Sequence, residues 1–169
     1  MSNVGIVHKD KQYATFKAIV SKVQQSIDLD AIVQECTVLH NSRISTKIKD
    51  TKGQFRPELL IDANAIDLSN RSRMTYLASD LQLKLSKLDS AIEAFENYVI
   101  TNYSQAFQLN SVDARKRFAK SCMKNQVKYY TQGKATLDFV NALIKDIDQT
   151  GFNLRNMVDL LKILVEKKV

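Results

Sequence analysis

The sequence predicts an all-α fold, and three observations carry that expectation. Proline and glycine are scarce, with only Pro57 and glycines at 5, 53, 133 and 151 in 169 residues; an all-β chain needs turn residues roughly every 8–12 positions. Apolar residues recur at steps of three and four through most of the chain, which is the period of one-sided helices. One run is unbroken: Met74, Leu77, Leu81, Leu85, Leu88, Ile92, Phe95, Val99, Tyr103 and Phe107 step by three or four throughout. It predicts a single amphipathic helix of roughly 54 Å at a rise of ~1.5 Å per residue. Such a helix is too long to bury its stripe against itself, so it must pack along other helices, along a copy from another subunit, or both. Leu83 lies off the stripe and favours a second contact surface. The expected architecture is an elongated, oligomeric helical bundle with one long amphipathic helix and several shorter ones.

The remaining elements follow in chain order. Residues 1–10 show no periodicity and read as a frayed lead-in. From Lys11, the apolar set Tyr13, Phe16, Val20, Val23 and Ile27 predicts a helix, and Leu29, Ile32, Val33, Cys36 and Leu39 predict another. The intervening IDLD at 27–30 fits either a break or a helix start. The basic tract Arg43 to Arg56, with Gly53 inside it and Pro57 behind, reads as a mobile loop or linker, with a second anion contact as the alternative. Two domains result: 1–56, a helical arm plus basic linker, and 57–169, a helical domain for nucleic-acid binding and oligomerisation. Asp62, Asn64, Asp67, Ser69 and Asn70 are all able to cap a helix start there.

Further on, Asn110 and Ser111 are cap candidates ahead of a helix whose apolar face is Val112, Phe118, Cys122, Met123 and Val127. Asp113 sits favourably near its positive end. Gln132-Gly133 permits a break or a close approach. The helix of Leu137, Val140, Leu143, Ile144 and Ile147 is expected to stop at Gly151, a residue suited to the left-handed position after a helix. Asn153 would then cap the last helix, which carries Leu154, Met157, Val158, Leu161 and Leu164.

Charge is concentrated in one place. The window 111–134 holds Arg115, Lys116, Arg117, Lys120, Lys124, Lys128 and Lys134 against the single acid Asp113, so it supplies +6 of the chain's +7. Concentrated positive charge is the footprint of a polyanion partner, with a solvated helix face as the alternative. Lysines 116, 120, 124 and 128 recur every four residues, which on one helix spreads them over roughly 120° of a single face. Their mutual repulsion costs a few tenths of a kcal/mol per contact, and a bound anion relieves it. Tyr129 and Tyr130 adjoin the stripe, and aromatics beside a basic groove suit single strands, whose exposed bases stack on them for about 1–3 kcal/mol each; the equal alternative is that one tyrosine packs in the core and the other covers it. No helix-turn-helix, zinc-finger or RNP pattern is present, so sequence-specific readout is not supported.

Catalytic chemistry finds little support. His8 and His40 stand alone, and Cys36 and Cys122 are far apart, so no metal or Cys-His site is predicted. Asp28/Asp30 and Asp146/Asp148 are spaced so as to point apart on a helix and read as solvated pairs. The QGKAT run at 132–136 fails as a phosphate loop, because position 128 is Lys and position 135 is Ala. The expectation is a protein that is not an enzyme and needs no cofactor. No run is apolar enough to span a membrane, the N-terminus lacks a signal-peptide core, and the two cysteines fit reduced, buried thiols. The expected location is the cytoplasm, of a cell or of an infected host.

The C-terminal third resembles a known family. Lys128-Tyr129-Tyr130-Thr131-Gln132-Gly133-Lys134, a helical run, and then Gly151-Phe152-Asn153-Leu154-Arg155-Asn156-Met157 resemble the UvsY-type recombination mediators of tailed phages, with an echo in Ile61-Asp62 and Met74-Thr75-Tyr76-Leu77. The resemblance covers about 61–165. It implies an all-helical protein that assembles into rings and binds single-stranded DNA without sequence preference. It further implies a role in DNA recombination and repair, loading a recombinase onto strands covered by single-strand-binding protein. By position, Lys124 matches one of two basic DNA-contacting residues, whereas the other is Gln126 here, flanked by Lys120 and Lys128. The N-terminal portion and the sequence around 104–118 are additional to the family pattern. Two other functions fit the same sequence: a helical assembly protein that docks an acidic protein partner, and a small RNA-binding subunit of a ribonucleoprotein.

Overall fold

The computed structural model describes residues 3–45, 56 and 59–166, without the side chains of 161, 162 and 164–166. The described residues are all-α, with no strand among them: α1 (Asn3–Val7), α2 (Lys11–Gln25), α3 (Leu29–Asn41), α4 (Leu60–Tyr103), α5 (Val112–Cys122) and α6 (Lys124–Glu166). No helix among the described residues is long and apolar enough to cross a membrane.

The chain folds into two compact units, Met1–Leu29 with Asp80–Thr136 and Asp30–Ser79 with Leu137–Val169. Helices α4 and α6 each contribute one part to the first unit and one to the second. The stretch 1–56 is divided between the units at Leu29. Charge divides with them: the first unit holds 13 basic and 7 acidic residues, net +6, and the second 12 and 11, net +1.

In the first unit the α4 stripe supplies the core. Leu81, Leu85, Leu88, Ile92, Phe95 and Val99 are all buried, and Phe16, Val20, Val23 and Ile27 of the α2 segment are buried with them. The rings of Phe16 and Phe95 stack 4.6 Å apart at 7°; each buried side chain of this size is worth about 1.5–3 kcal/mol. Helix α4 begins at Leu60, earlier than the periodicity indicated, and ends at Tyr103. Phe107 therefore lies past its end, in a turn where Gln108 takes the left-handed conformation (φ 52°). The amide of Leu109 donates to the Ser104 carbonyl at 2.9 Å and closes that turn.

In the second unit, Cys36, Met74, Ala78, Val140 and Ile147 form the main core, flanked by Ile32, Leu39, Leu77, Leu137, Leu143 and Ile144. Ala63 and Leu154 form a smaller cluster with Ile44, Leu60 and Met157. Arg43 itself departs from the mobile-loop and anion-contact readings of its tract. It is buried, its Nε and Nη2 donate to the two Asp67 oxygens at 3.0 and 3.3 Å, and its Nη1 donates to Asp146 at 2.7 Å. The part of the tract at 46–55 lies outside the described residues, as do 57 and 58 behind it. Asp67 and Asn70, read as helix caps, sit inside α4: Asp67 partners Arg43, and Asn70 donates to the Leu39 carbonyl at 2.7 Å, satisfying the end of α3.

Asp146 and Asp148 are not bare solvated residues. Asp146 accepts from Arg43 and from His40 Nε2 at 2.8 Å, while Asp148 pairs with both Nε and Nη2 of Arg71. His40 Nε2 also lies 3.2 Å from Arg43 Nη1, so the imidazole, the guanidinium and the Asp146 carboxylate form one cluster. The spacing by two positions sends the two aspartates to different partners, as the helix period requires.

Helix α6 runs unbroken through Gly133 and Gly151, which corrects the expected stop at Gly151 and the cap at Asn153. Gly133 is there for close approach: a Cβ on it would lie 2.5 Å from Leu85 Cδ2, and Leu85 is buried. At Gly151 a Cβ would meet nothing within 4 Å. Glycine inside a helix costs about 0.5–1 kcal/mol relative to alanine. Gly151→Ala is therefore expected to stabilise the protein by about that amount in urea unfolding. Gly133→Ala should fall short of it by about 1–3 kcal/mol through overpacking against Leu85. Equal effects at the two sites would contradict this placement.

Candidate nucleic-acid interface

The basic segment spans two helices. Ser111 caps α5 with extended backbone (φ −106°, ψ 152°), its hydroxyl accepting from the Ala114 amide at 3.1 Å, and Asp113 sits in the first turn. Helix α5 ends at Cys122, where Met123 leaves helical geometry (φ −118°, ψ 20°), and α6 starts at Lys124. The four-residue lysine period is thus not one continuous helical face, because Lys116 and Lys120 belong to α5 and Lys124 and Lys128 to α6. The apolar residues Cys122 and Met123 explain the break: both are buried, at 2% and 0% exposure, and turning at Met123 lets consecutive side chains enter the core.

Within α5, Ala119 and Cys122 face inward, and Lys116, Arg117 and Lys120 are exposed. At 100° per residue these three cations occupy about 100° of the solvent face. Lys124 and Lys128 are exposed on the first two turns of α6. Among the described residues none of these five forms an ion pair with a carboxylate, whereas Arg43, Arg71, Arg73 and Lys84 all do. The five are cations without local compensation.

The other four predicted residues behave differently. Arg115 is half-buried and its Nε donates to the Leu109 carbonyl at 2.9 Å, so it braces the turn before α5. Tyr129 is half-buried, its hydroxyl directed at the Ile27 carbonyl at 3.4 Å, and burial pushes its pKa up. Tyr130 carries the Lys134 ammonium over its ring, 5.2 Å from the centroid. The tyrosine pair therefore does not stand together beside the lysines as a stacking platform. Adjacent positions on a helix diverge by 100°, and each ring has local packing of its own.

What sequence reasoning missed is the support beneath α5. The lead-in read as frayed is helix α1, which packs on α5 with Val7 fully buried. His8 Nε2 lies 2.9 Å from the Cys122 carbonyl at the end of α5, so a ring N–H there satisfies a terminal helix carbonyl. The His8 ring also stacks on Tyr13 at 4.2 Å. Asp10 then does two jobs. Its Oδ1 caps α2 by accepting from the Gln12 amide at 2.8 Å, and its Oδ2 accepts from the Tyr98 and Tyr103 hydroxyls at 2.7 and 2.5 Å. A five-residue helix has no periodicity to read, and only Asp10 at a cap position before an apolar run was a usable signal.

The Asp10 cluster fixes a pH dependence. The Tyr103 hydroxyl, then the Gln12 amide and the Tyr98 hydroxyl, hold the Asp10 carboxyl below its ordinary 3.8. The same carboxylate, with burial, pushes Tyr103 from 10 up to about 12. A lowered carboxyl pKa gives stability that is present above about 3.8 and lost as pH falls through the folded value; a raised tyrosine pKa gives stability that is present below 10 and lost as pH rises toward 12. Asp10→Asn keeps a competent cap but removes the charge. In ultraviolet titration it should bring the late-titrating tyrosine back toward 10, and an unchanged titration would contradict the cluster.

No group of three or more His, Cys, Asp or Glu able to hold a metal occurs among the described residues. Cys36 and Cys122 are buried thiols whose pKa is raised by that burial. Comparison with known proteins gives no match: no family model, no curated protein and no solved structure is similar to this chain at a significant level.

Proposed function

We propose that this chain is an oligomeric, non-sequence-specific single-stranded DNA-binding accessory protein, acting through Lys116, Arg117, Lys120, Lys124 and Lys128. The observation that carries the reading is the segregation of charge. The unit holding α5 is +6 and the other +1, and these five exposed cations have no carboxylate partner among the described residues. Cationic side chains at such a surface neutralise phosphates and release counterions, which gives affinity without base readout. The resemblance to the UvsY-type mediators supports the narrower role of loading a recombinase onto strands covered by single-strand-binding protein, with several copies aligning their cationic units to raise avidity. Because Tyr129 and Tyr130 have local packing of their own, phosphate contacts rather than base stacking dominate this mechanism.

Fluorescence anisotropy with single-stranded DNA, duplex DNA and RNA of equal length, across a salt series, tests the reading. Single-strand preference is expected, with a log–log salt slope near −3 for about four neutralised phosphates. Lys120→Glu with Lys124→Glu should abolish most binding without loss of helicity, while Lys145→Glu in the other unit should leave it unchanged. Retained affinity in the double variant at moderate salt would remove this site. Absence of binding to any nucleic acid at physiological salt would transfer the same cations to an acidic protein partner.

A further inference from the structure

Within the second unit, α4 is apolar on two opposite faces. Ala63, Met74 and Ala78 are buried in the unit's clusters. On the far side stand Ile61, Leu68 and Tyr76, exposed at 79%, 67% and 62%, with the small exposed residues Ala65 and Ser72 between them. Stepping 4, 3, 4 and 4, these five positions fall within about 80° of one another and on average about 160° from the buried face. A steady spacing of this kind is the pattern of a seam between helices, whereas scattered single exposures need no explanation.

The seam is complementary to itself. In an antiparallel pairing with the two-fold axis at Leu68, Leu68 meets its own copy, and Ile61 and Ala65 come within one residue's rise, about 1.5 Å, of level with Tyr76 and Ser72, so large residues oppose large and small oppose small. The flanking charges agree with this register. Asp62 lies beside one end of the seam and Arg73 beside the other, on the same edge of the helix. Same-edge positions face each other across an antiparallel pair, so Asp62 of one copy comes opposite Arg73 of the other, twice by symmetry. Asp62 is exposed and in no ion pair among the described residues. Arg73 gives Nε to Glu35 at 2.6 Å and lies 5.4 Å from the Tyr76 ring centroid, leaving its terminal nitrogens for a second carboxylate. The unit's net charge of +1 offers little repulsion between copies.

We infer that residues 61–76 of α4 form an antiparallel, two-fold interface with a second copy of this chain, centred on Leu68. The apolar seam provides the affinity, and the Asp62–Arg73 pairs set direction and register, since exposed ion pairs add little strength. Phe152 of α6 lines the same groove as Leu68, a space of about 340 Å³, and extends the apolar surface beyond the helix. The pairing rests on the nucleic-acid reading only for its use, which is to hold two cationic units in one particle.

The test uses the full chain without nucleic acid. Sedimentation velocity should show a dimer, and Leu68→Glu should raise its dissociation constant by about 100-fold or more while helicity stays constant, because two like charges would meet on the axis. Asp62→Arg and Arg73→Asp should each weaken the dimer, and the double exchange should restore it. Leu68→Cys should form a disulfide-linked dimer under mild oxidation. Ile61→Cys should not, because its two copies lie about 21 Å apart in this register, and the native cysteines are buried at 0% and 2% exposure. A monomer at all concentrations, an unaffected dimer in Leu68→Glu, or cross-linking through Ile61→Cys would each overturn the proposal. Since no arm uses nucleic acid, loss of DNA binding and loss of pairing are separately visible.

Discussion

Helix α4 has to serve two cores with one backbone. Its inward positions are Met74 and Ala78 in one unit and Leu81, Leu85, Leu88, Ile92, Phe95 and Val99 in the other, all buried. Helix α6 is likewise divided between the units, at Thr136, whereas α1, α2 and α5 lie in the first. Keeping so many large side chains at close-packed density sets tight local conditions. The clearest is Gly133, where the α6 backbone comes so near Leu85 that a methyl group has no room. In the second unit the corresponding constraint is polar: Arg43 is buried and bridges α4 and α6 through Asp67 and Asp146. Removing one partner of such a buried pair leaves an uncompensated charge and costs about 3–5 kcal/mol.

Periodicity and composition made the helices legible because most of them bury one stripe, and 3.6-residue spacing then survives in the sequence. The α2 and α3 segments, the α4 core face and the Ser111 cap follow directly from that pattern and from capping chemistry. The errors have physical causes. Gly151 suggests a helix end in the sequence, but glycine only permits a stop; the apolar residues on either side, Ile147 and Leu154, are both buried and carry the helix through. Phe107 continued the spacing arithmetic beyond Tyr103, yet Ser104 is buried and the chain turns after it. Arg43 sat in a basic tract and looked solvated; its acids are distant in sequence, at 67 and 146, so no local pattern could reveal the pairing.

The basic face was legible as composition but not as geometry. Counting charges located it, and the compact units sharpen the count, since nearly all of the net charge resides in one of them. The break at Met123 and the separate packing of Tyr129 and Tyr130 depend on tertiary contacts, and in the proposed mechanism they favour phosphate neutralisation over stacking. The exposed seam of α4 was partly legible too. Its 4, 3, 4, 4 spacing is present in the sequence, but only burial shows that Met74 and Ala78 look inward while Leu68 and Tyr76 look out.

The central claim is that a polyanion occupies the exposed cations at the α5–α6 junction of one unit. Amine labelling of the full chain, read by mass spectrometry with and without saturating single-stranded DNA, tests it most directly. Lys116, Lys120, Lys124 and Lys128 are all exposed, as is Lys145 in the other unit. Protection of Lys116, Lys120, Lys124 and Lys128 with Lys145 unchanged is the predicted result. Uniform protection of both units, or DNA binding with those four lysines still fully reactive, would contradict the account.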